Sequence, residues 1–274
     1  MDKTDIFFFI LLLIFSVYSF STLSDRGVTY DENAYFSGLT RVTNHSLSFY
    51  EKFEPFNQPG SISHGTFSTW FSLPWYLLAQ TWTDTTNAMR VGTIILYLLY
   101  LLAMYVFIKK ECDGVVALVS AGVLMAAPRV FFHSQLFTLD FPVMILYTTT
   151  LGLYFKAVTT GKAWWTVAAG ISLGALFATK IQGYIILLPL LTSLFYLRRK
   201  NSALPLIWKN HPISLFIAVT IIGVLFFIIL SPAAHTDPFL LLKYIFSYGE
   251  RLGQGVKIFG DFHLAPGKPC QCFN

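Results

Sequence analysis

The sequence predicts an all-α membrane protein, a polytopic bundle of about seven transmembrane helices with interfacial helices in its first outer loop. Of its 274 residues, 55% are hydrophobic and only 12% are charged. The mean hydropathy of +0.60 lies outside the range of ordinary soluble domains. The second observation is a series of uncharged runs that approach or exceed the roughly 20 residues needed to cross a hydrocarbon core of about 30 Å.

The apolar runs are spread along most of the chain. They cover residues 6–23, 91–108, 114–128, 141–155, 163–179, 181–197 and 212–234. The first run could instead be a cleaved signal peptide. However, it is long for the apolar region of a signal peptide, and the sequence after it matches a cleavage site poorly. We therefore expect it to be an uncleaved helix.

Basic residues occupy alternate loops between these runs. If each run crosses the membrane once, the loops on one side contain Lys109, Lys110, Lys156, Lys162, Arg198, Arg199, Lys200 and Lys209. The positive-inside rule makes that side cytoplasmic, together with the N-terminus. The net charge of +5 then reflects topology, and no nucleic-acid partner is predicted. The opposite face is periplasmic, extracellular or lumenal.

The first outer loop, residues 24–90, contains an uncharged stretch at 65–83. As a true span this stretch would reverse the side of every later loop. Its Pro74, its serines and threonines and its three tryptophans favour an interfacial helix instead, and the lysine pattern supports that choice. Further along, Gly170 and Gly174 are four residues apart and would let two helices approach closely.

Ionisable residues collect on the predicted outer face, several of them at the ends of spans. They are Asp31, Glu32, His64, Arg90, Arg129, His133, Asp140 and Lys180. Charged groups at membrane depth are costly and usually mark a site or a path. Carboxylates can deprotonate an acceptor, and basic side chains can bind a leaving phosphate. The same residues taken singly are also typical of solvated loop charges, or together of an ion path.

The three cysteines, Cys112, Cys270 and Cys272, form no disulfide framework. Two thiols one residue apart, without a further His or Cys partner, make a poor zinc site. We therefore predict no metal among the site residues and no certain cofactor; a divalent metal is left open but not indicated.

Four segments carry a family resemblance by their order and spacing. They are "YDENAYFSG" after the first helix, "TDTTNAMRVGT", "APRVFFHSQLFTLDFPVMILYTTTLGLYFKA" and "AAGISLGALFATKIQGYIILLPLL". Together they resemble the C-type superfamily of lipid-linked-sugar glycosyltransferases, in the branch of the protein O-mannosyltransferases and the lipid A aminoarabinose transferase. The resemblance covers residues 6–200.

The resemblance implies transfer of a sugar from a polyprenyl-phosphate carrier to a protein, lipid or glycan acceptor on the non-cytoplasmic side. Asp31 would be the base toward the acceptor and Glu32 its partner in the same loop. Arg90 and Asp140 would shape the site, and Lys180 would contact the donor phosphate. Arg129 and His64 complete the predicted donor-binding set, His64 standing where relatives have a Pro-Pro pair. Membrane lipids are the remaining partners.

On this basis we divide the chain into a transmembrane glycosyltransferase-like domain, residues 1–234, and an outer tail, residues 235–274. Relatives generally continue through further spans, and "GKPCQCFN" reads like a frame change or premature stop. We therefore expect the tail to be incomplete. Two other functions stay open, a transporter or flippase of a lipid-linked substrate and a non-catalytic truncated remnant.

Overall fold

The chain folds into a bundle of α-helices, as a computed structural model describes it. The described residues are 2–29, 32, 35, 39, 42–44, 46, 66–199, 212–231, 234–235, 256–258 and 261–263. Within them the α-helices are α1 Lys3–Ser21, α2 Thr66–Ala79, α3 Thr85–Glu111, α4 Gly114–Ala126, α5 Pro128–Ser134, α6 Asp140–Thr160, α7 Ala163–Phe177, α8 Leu187–Arg199 and α9 Pro212–Leu230. Short 3₁₀ helices cover Leu23–Asp25 and Ile181–Ile186.

A helix lies at each of the seven predicted apolar runs. Four are long and apolar enough to cross a membrane, namely Lys3–Ser21, Thr85–Glu111, Asp140–Thr160 and Ile213–Leu230. The pair α4 and α5 makes a fifth if counted as one bent span, and Ala163–Phe177 and Gln182–Ser193 are shorter apolar helices. The chain is thus an all-α membrane protein, as predicted, while the count of about seven crossings stays a prediction.

The bend between α4 and α5 measures 70° and has a local cause. Pro128 is the first residue of α5, and Ala127 before it has ψ 112°. The residue preceding a proline is sterically excluded from the helical region. Helix α4 therefore ends at Ala126, two residues before the end of the predicted run 114–128. The chain then turns into a separate short helix that carries Arg129 and His133.

The predicted close approach at Gly170 and Gly174 is confirmed, and the partner helix is α9. A Cβ atom at Gly174 would lie 2.5 Å from the Gly223 carbonyl oxygen, and one at Gly170 would lie 2.5 Å from Ile222 Cβ. Neither distance is possible between real atoms, so only glycine allows these backbones to meet. The contact joins α7 and α9 within the largest apolar core of the described residues.

We expect Gly174→Ala to force α7 and α9 apart and to cost about 1–3 kcal/mol of stability. The matched control is Gly122→Ala on α4, where an added Cβ would meet nothing within 4 Å. That control should keep or slightly raise stability because alanine is the better helix former. Thermal unfolding in detergent measures both variants, and equal melting temperatures would contradict the assigned contact.

Helix α2 packs against α3 and contacts the C-terminal ends of α7 and α9. The Phe67 N–H donates to the Ala178 carbonyl at 3.3 Å, and the Trp70 indole N–H donates to the Leu230 carbonyl at 3.2 Å. With 14 residues, α2 is about 21 Å long and shorter than a hydrocarbon core. These features agree with an interfacial helix, which stays a prediction.

Charged side chains gather at both ends of the bundle. At one end Lys109 pairs with Asp2 at 2.7 Å and with Asp5 at 2.6 Å, and Lys156 pairs with Glu111. Arg90, Asp140 and Lys180 lie at the opposite ends of the same helices or of their neighbours. The grouping agrees with the predicted sidedness; which end faces the cytoplasm stays a prediction.

In the tail the described residues form a two-stranded antiparallel hairpin. Strand β1, Val256–Ile258, pairs with β2, Asp261–His263, so that Val256 lies opposite His263. The remainder of the tail beyond His235 lies outside the described residues. The division of the chain at residue 234 therefore stays a prediction.

Candidate functional site

A buried ion pair joins Glu32 in the first outer loop to Arg90 near the start of α3. Arg90 Nε lies 2.8 Å from Glu32 Oε1, and Arg90 Nη2 lies 2.8 Å from Oε2. The Glu32 side chain is 0% exposed and the Arg90 side chain is 1% exposed. This two-pronged geometry is the strongest way in which a guanidinium binds a carboxylate. It fixes Glu32 to a helix 58 residues further along the chain.

The pair also draws in backbone from two other segments. Arg90 Nη2 donates to the Gly27 carbonyl at 2.8 Å and Nη1 to the Arg26 carbonyl at 3.0 Å. Glu32 Oε1 accepts the Phe137 N–H at 2.9 Å, and Oε2 accepts the Thr29 N–H at 3.0 Å. The network therefore ties together the loop after α1, the start of α3 and the segment between α5 and α6.

Glu32 is ionised in this setting. Burial by itself would raise the pKa of its carboxyl, but the hydrogen bonds from Arg90, from the Thr29 N–H and from the Phe137 N–H outweigh burial and hold the pKa below its usual value. Each carboxylate oxygen already accepts two of these hydrogen bonds, so both are saturated. The geometry suits a group that positions its loop.

The lowered pKa of Glu32 predicts a specific acid sensitivity. Because the folded-state pKa lies below the ordinary 4.5, the ion pair's stabilisation is complete above that pH and is lost as pH falls through the folded-state value. We expect thermal stability to decline below about pH 4.5 in the wild type. Glu32→Gln should show a lower but flatter profile over this range, and parallel profiles would contradict the assignment.

Two of the predicted site residues, Asp31 and His64, lie outside the described residues. Asp31 directly precedes Glu32 in the chain. The roles predicted for Asp31 and His64 therefore stay predictions.

A second group of predicted residues meets at the start of α6. Lys180 Nζ lies 2.5 Å from Asp140 Oδ1. Asp140 also lines a recess of about 350 Å³ with Arg129 and His133 from α5. Arg129 and His133 are four residues apart and so present the same face of the helix. The recess thus combines a guanidinium, an imidazole and a carboxylate, with an ammonium group paired to that carboxylate.

His133 was not among the predicted binding residues, yet its surroundings set it apart. Its Nδ1 atom is buried and makes no hydrogen bond within the described part of the chain. Buried polar atoms are nearly always paired, so an exception calls for an explanation such as a ligand or water. Its place in "PRVFFHSQLFTLDFP" had marked it only as one ionisable residue among several.

The segment 135–140 connects the two groups. Phe137 donates its N–H to Glu32, and Asp140 follows three residues later. Gln135 is fully buried; its Oε1 accepts from Arg26 Nη1 at 2.7 Å and its Nε2 donates to Ser19 Oγ at 3.0 Å. Sequence reasoning missed Gln135 and Arg26, because nothing local signals that a glutamine in an apolar segment meets a loop more than 100 residues earlier.

Metal ligands do not cluster in the described part of the chain, where no group of three His, Cys, Asp or Glu side chains could hold an ion. Cys112 is an exposed free cysteine, and Cys270 and Cys272 lie outside the described residues.

Comparison with known proteins identifies a family. The model of the family described as dolichyl-phosphate-mannose-protein mannosyltransferase matches residues 70–234, which is more than half of the chain and includes Arg90, Arg129, Asp140 and Lys180. No curated protein and no solved structure matches the chain. The family match confirms the resemblance read from the sequence. The chain belongs to the dolichyl-phosphate-mannose-protein mannosyltransferase family, within the polyprenyl-phosphate-sugar glycosyltransferases of the C-type superfamily.

Proposed function

We propose that this chain transfers a sugar from a polyprenyl-phosphate carrier to an acceptor hydroxyl or amine on the non-cytoplasmic face of the membrane. The family supports a membrane glycosyltransferase with such a donor and a protein acceptor. The observation that carries the proposal for this chain is the buried Glu32–Arg90 pair. It holds the residue beside Asp31 close to the segment that leads into the recess at Asp140.

In the proposed reaction the acceptor atom attacks the anomeric carbon of the sugar. One bond forms between the acceptor and that carbon, and the bond from that carbon to the phosphate oxygen breaks. The acceptor proton passes to Asp31, and the electron pair of the broken bond leaves with the polyprenyl phosphate. A base within reach of the acceptor contributes typically 10²–10⁴-fold to such a step.

The leaving phosphate needs cations, and the recess at α5 and α6 supplies them. Arg129 is exposed and forms no ion pair with the described residues, and Lys180 is held by Asp140. Cations aimed at the charge that develops on the leaving group stabilise the transition state. The buried Nδ1 of His133 offers a further contact to the phosphate or the sugar. Glu32 and Arg90 act in this scheme as positioning residues.

Lys180 gives a direct test of the phosphate contact. Lys180→Gln should lower kcat/KM for the lipid-linked donor by about 10²-fold, because one charged hydrogen bond to the phosphate is lost. Lys162→Gln is the matched control, since Lys162 lies at the N-terminal end of α7 whereas Lys180 follows its C-terminal end. Steady-state kinetics with varied donor measures both, and equal effects would contradict the proposed contact.

The decisive experiment reconstitutes the protein in liposomes with a radiolabelled polyprenyl-phosphate sugar and a peptide acceptor. Label appearing on the peptide, with release of polyprenyl phosphate, supports the proposal. Label that changes leaflet without reaching any acceptor would overturn it in favour of a flippase. If the label neither changes leaflet nor reaches the acceptor, and a thermal unfolding transition shows that the protein is folded, the result would indicate a non-catalytic chain.

A further inference from the structure

The end of the bundle opposite the candidate site contains a ridge on α3 made by Leu102, Val106 and Lys110. These residues are spaced by four and therefore share one helix face. All three line two separate recesses, one on each side of the ridge. The larger recess, about 610 Å³, lies between α3 and α6. The smaller one, about 490 Å³, lies between α3 and α1.

Both recesses are mostly apolar along the helices, and their charged side chains lie at the same end. The larger is lined by side chains such as Leu99, Phe107 and Leu153, and it ends at Lys110, Glu111 and Lys156. In the smaller one, Phe9 from α1 faces the ridge, and the polar residues are Asp5, Tyr105, Lys109 and Lys110. An apolar channel beneath a polar edge is the arrangement that a lipid tail and its headgroup require.

Among the described residues at this edge, one lysine has no ion-pair partner. Lys109 pairs with both Asp2 and Asp5, and Lys156 pairs with Glu111. Lys110 is exposed and makes no ion pair or hydrogen bond with any residue that the structure describes. Lys110 therefore lines both recesses without a carboxylate partner among the described residues.

Trp165 places the polar edge at a membrane boundary. It lines the larger recess at the same end as Lys110 and Lys156. Tryptophan is enriched where the hydrocarbon core meets the headgroups, and lysine reaches from there toward water. The recesses thus run from the headgroup level toward the interior of the bilayer.

We propose that the ridge binds one anionic phospholipid, with an acyl chain in each recess and the headgroup on Lys110. A two-chain lipid branches at its headgroup, which matches two recesses that meet at a single cation. An apolar helix of a second copy, about 10 Å wide with its side chains, would fill one groove and offer Lys110 no anionic partner. Basic recesses between transmembrane helices are known to select anionic headgroups.

This proposal does not depend on sugar transfer, because the ridge lies at the other end of α3 from Arg90. The size of the effect follows from the charge: one lysine at the headgroup level favours an anionic over a zwitterionic headgroup by about five-fold. A site built from two apolar recesses should also retain lipid through purification.

The test reconstitutes the wild type and variants in nanodiscs of equal parts phosphatidylcholine and phosphatidylglycerol, extracts them into mild detergent, and counts bound lipids by native mass spectrometry. We expect the wild type to retain one phosphatidylglycerol over phosphatidylcholine by about five-fold. Lys110→Gln should lose the preference, and Lys162→Gln, which lines neither recess, should keep it. Val106→Trp should lower total retained lipid of either kind by blocking both recesses.

Equal retention of the two lipids by the wild type would overturn the proposal, and so would an unchanged preference in Lys110→Gln. Disulfide crosslinking of Val106→Cys between copies in the same nanodiscs, with Cys112, Cys270 and Cys272 replaced by serine, would also overturn it, because a second chain would then occupy the ridge. Thermal unfolding of each variant confirms that lost lipid does not reflect lost fold. None of these results depends on whether the chain transfers a sugar.

Discussion

Arg90→Met is expected to destabilise the fold by about 3–5 kcal/mol and to abolish sugar transfer. The substitution leaves the Glu32 carboxylate buried without its cation, and removing one partner of a buried ion pair costs about that much. It also removes the donors to the Gly27 and Arg26 carbonyls. Unfolding in detergent, followed by intrinsic fluorescence, measures the loss of stability.

Two further variants show whether the pair is the cause. Arg129→Met removes an exposed arginine and should change stability by less than about 0.5 kcal/mol. The double variant Arg90→Met with Glu32→Leu should be more stable than Arg90→Met alone, because it no longer buries an unpaired charge. If Arg90→Met is as stable as Arg129→Met, the pair does not hold the loop.

Asp31→Asn is expected to lower sugar transfer by at least about 10²-fold while leaving expression and stability unchanged. The amide is nearly isosteric with the carboxylate, but it cannot accept the acceptor's proton, and general bases contribute 10²–10⁴-fold. Initial rates with the lipid-linked donor and a peptide acceptor measure the effect. Binding of the donor should persist, because the cations assigned to it lie in the recess at α5 and α6.

The matched control is Asp25→Asn, an exposed carboxylate in the same loop that lies only six residues earlier. It should transfer sugar at the wild-type rate. Glu32→Gln provides the opposite comparison, since it should lose stability together with activity. Retained transfer in Asp31→Asn would remove Asp31 as the base. Asp140 would then be the next candidate, because both oxygens of Glu32 are already saturated.

The sequence indicated which residues belong to the candidate site but not which of them pair. The family resemblance assigned Glu32, Arg90, Asp140 and Lys180 to one site, and the structure brings them together as two ion pairs, Glu32–Arg90 and Asp140–Lys180. The pairing itself could not be predicted. Which carboxylate meets which cation depends on the ends of α3, α6 and α7 meeting in space, and the residues of each pair are 58 and 40 positions apart.

Features with a local cause were predicted better. Gly170 and Gly174 were expected to allow a close helix contact, and the contact is there because glycine spacing depends only on helix geometry. The partner helix, α9, had no signal in the sequence. Pro128 similarly accounts for the end of α4, but the direction of α5 after the bend follows from packing.

By itself the sequence determined that this is an all-α membrane protein, where its apolar helices lie and which family it resembles, because hydropathy, length and motif order are properties of contiguous residues. The tertiary structure decided that Glu32 is saturated by Arg90 and two backbone N–H groups, that His133 keeps a buried nitrogen free of described partners, and that Lys110 lies between two mostly apolar recesses. These features arise where distant segments pack together, and burial and hydrogen-bond partners are set only by that packing.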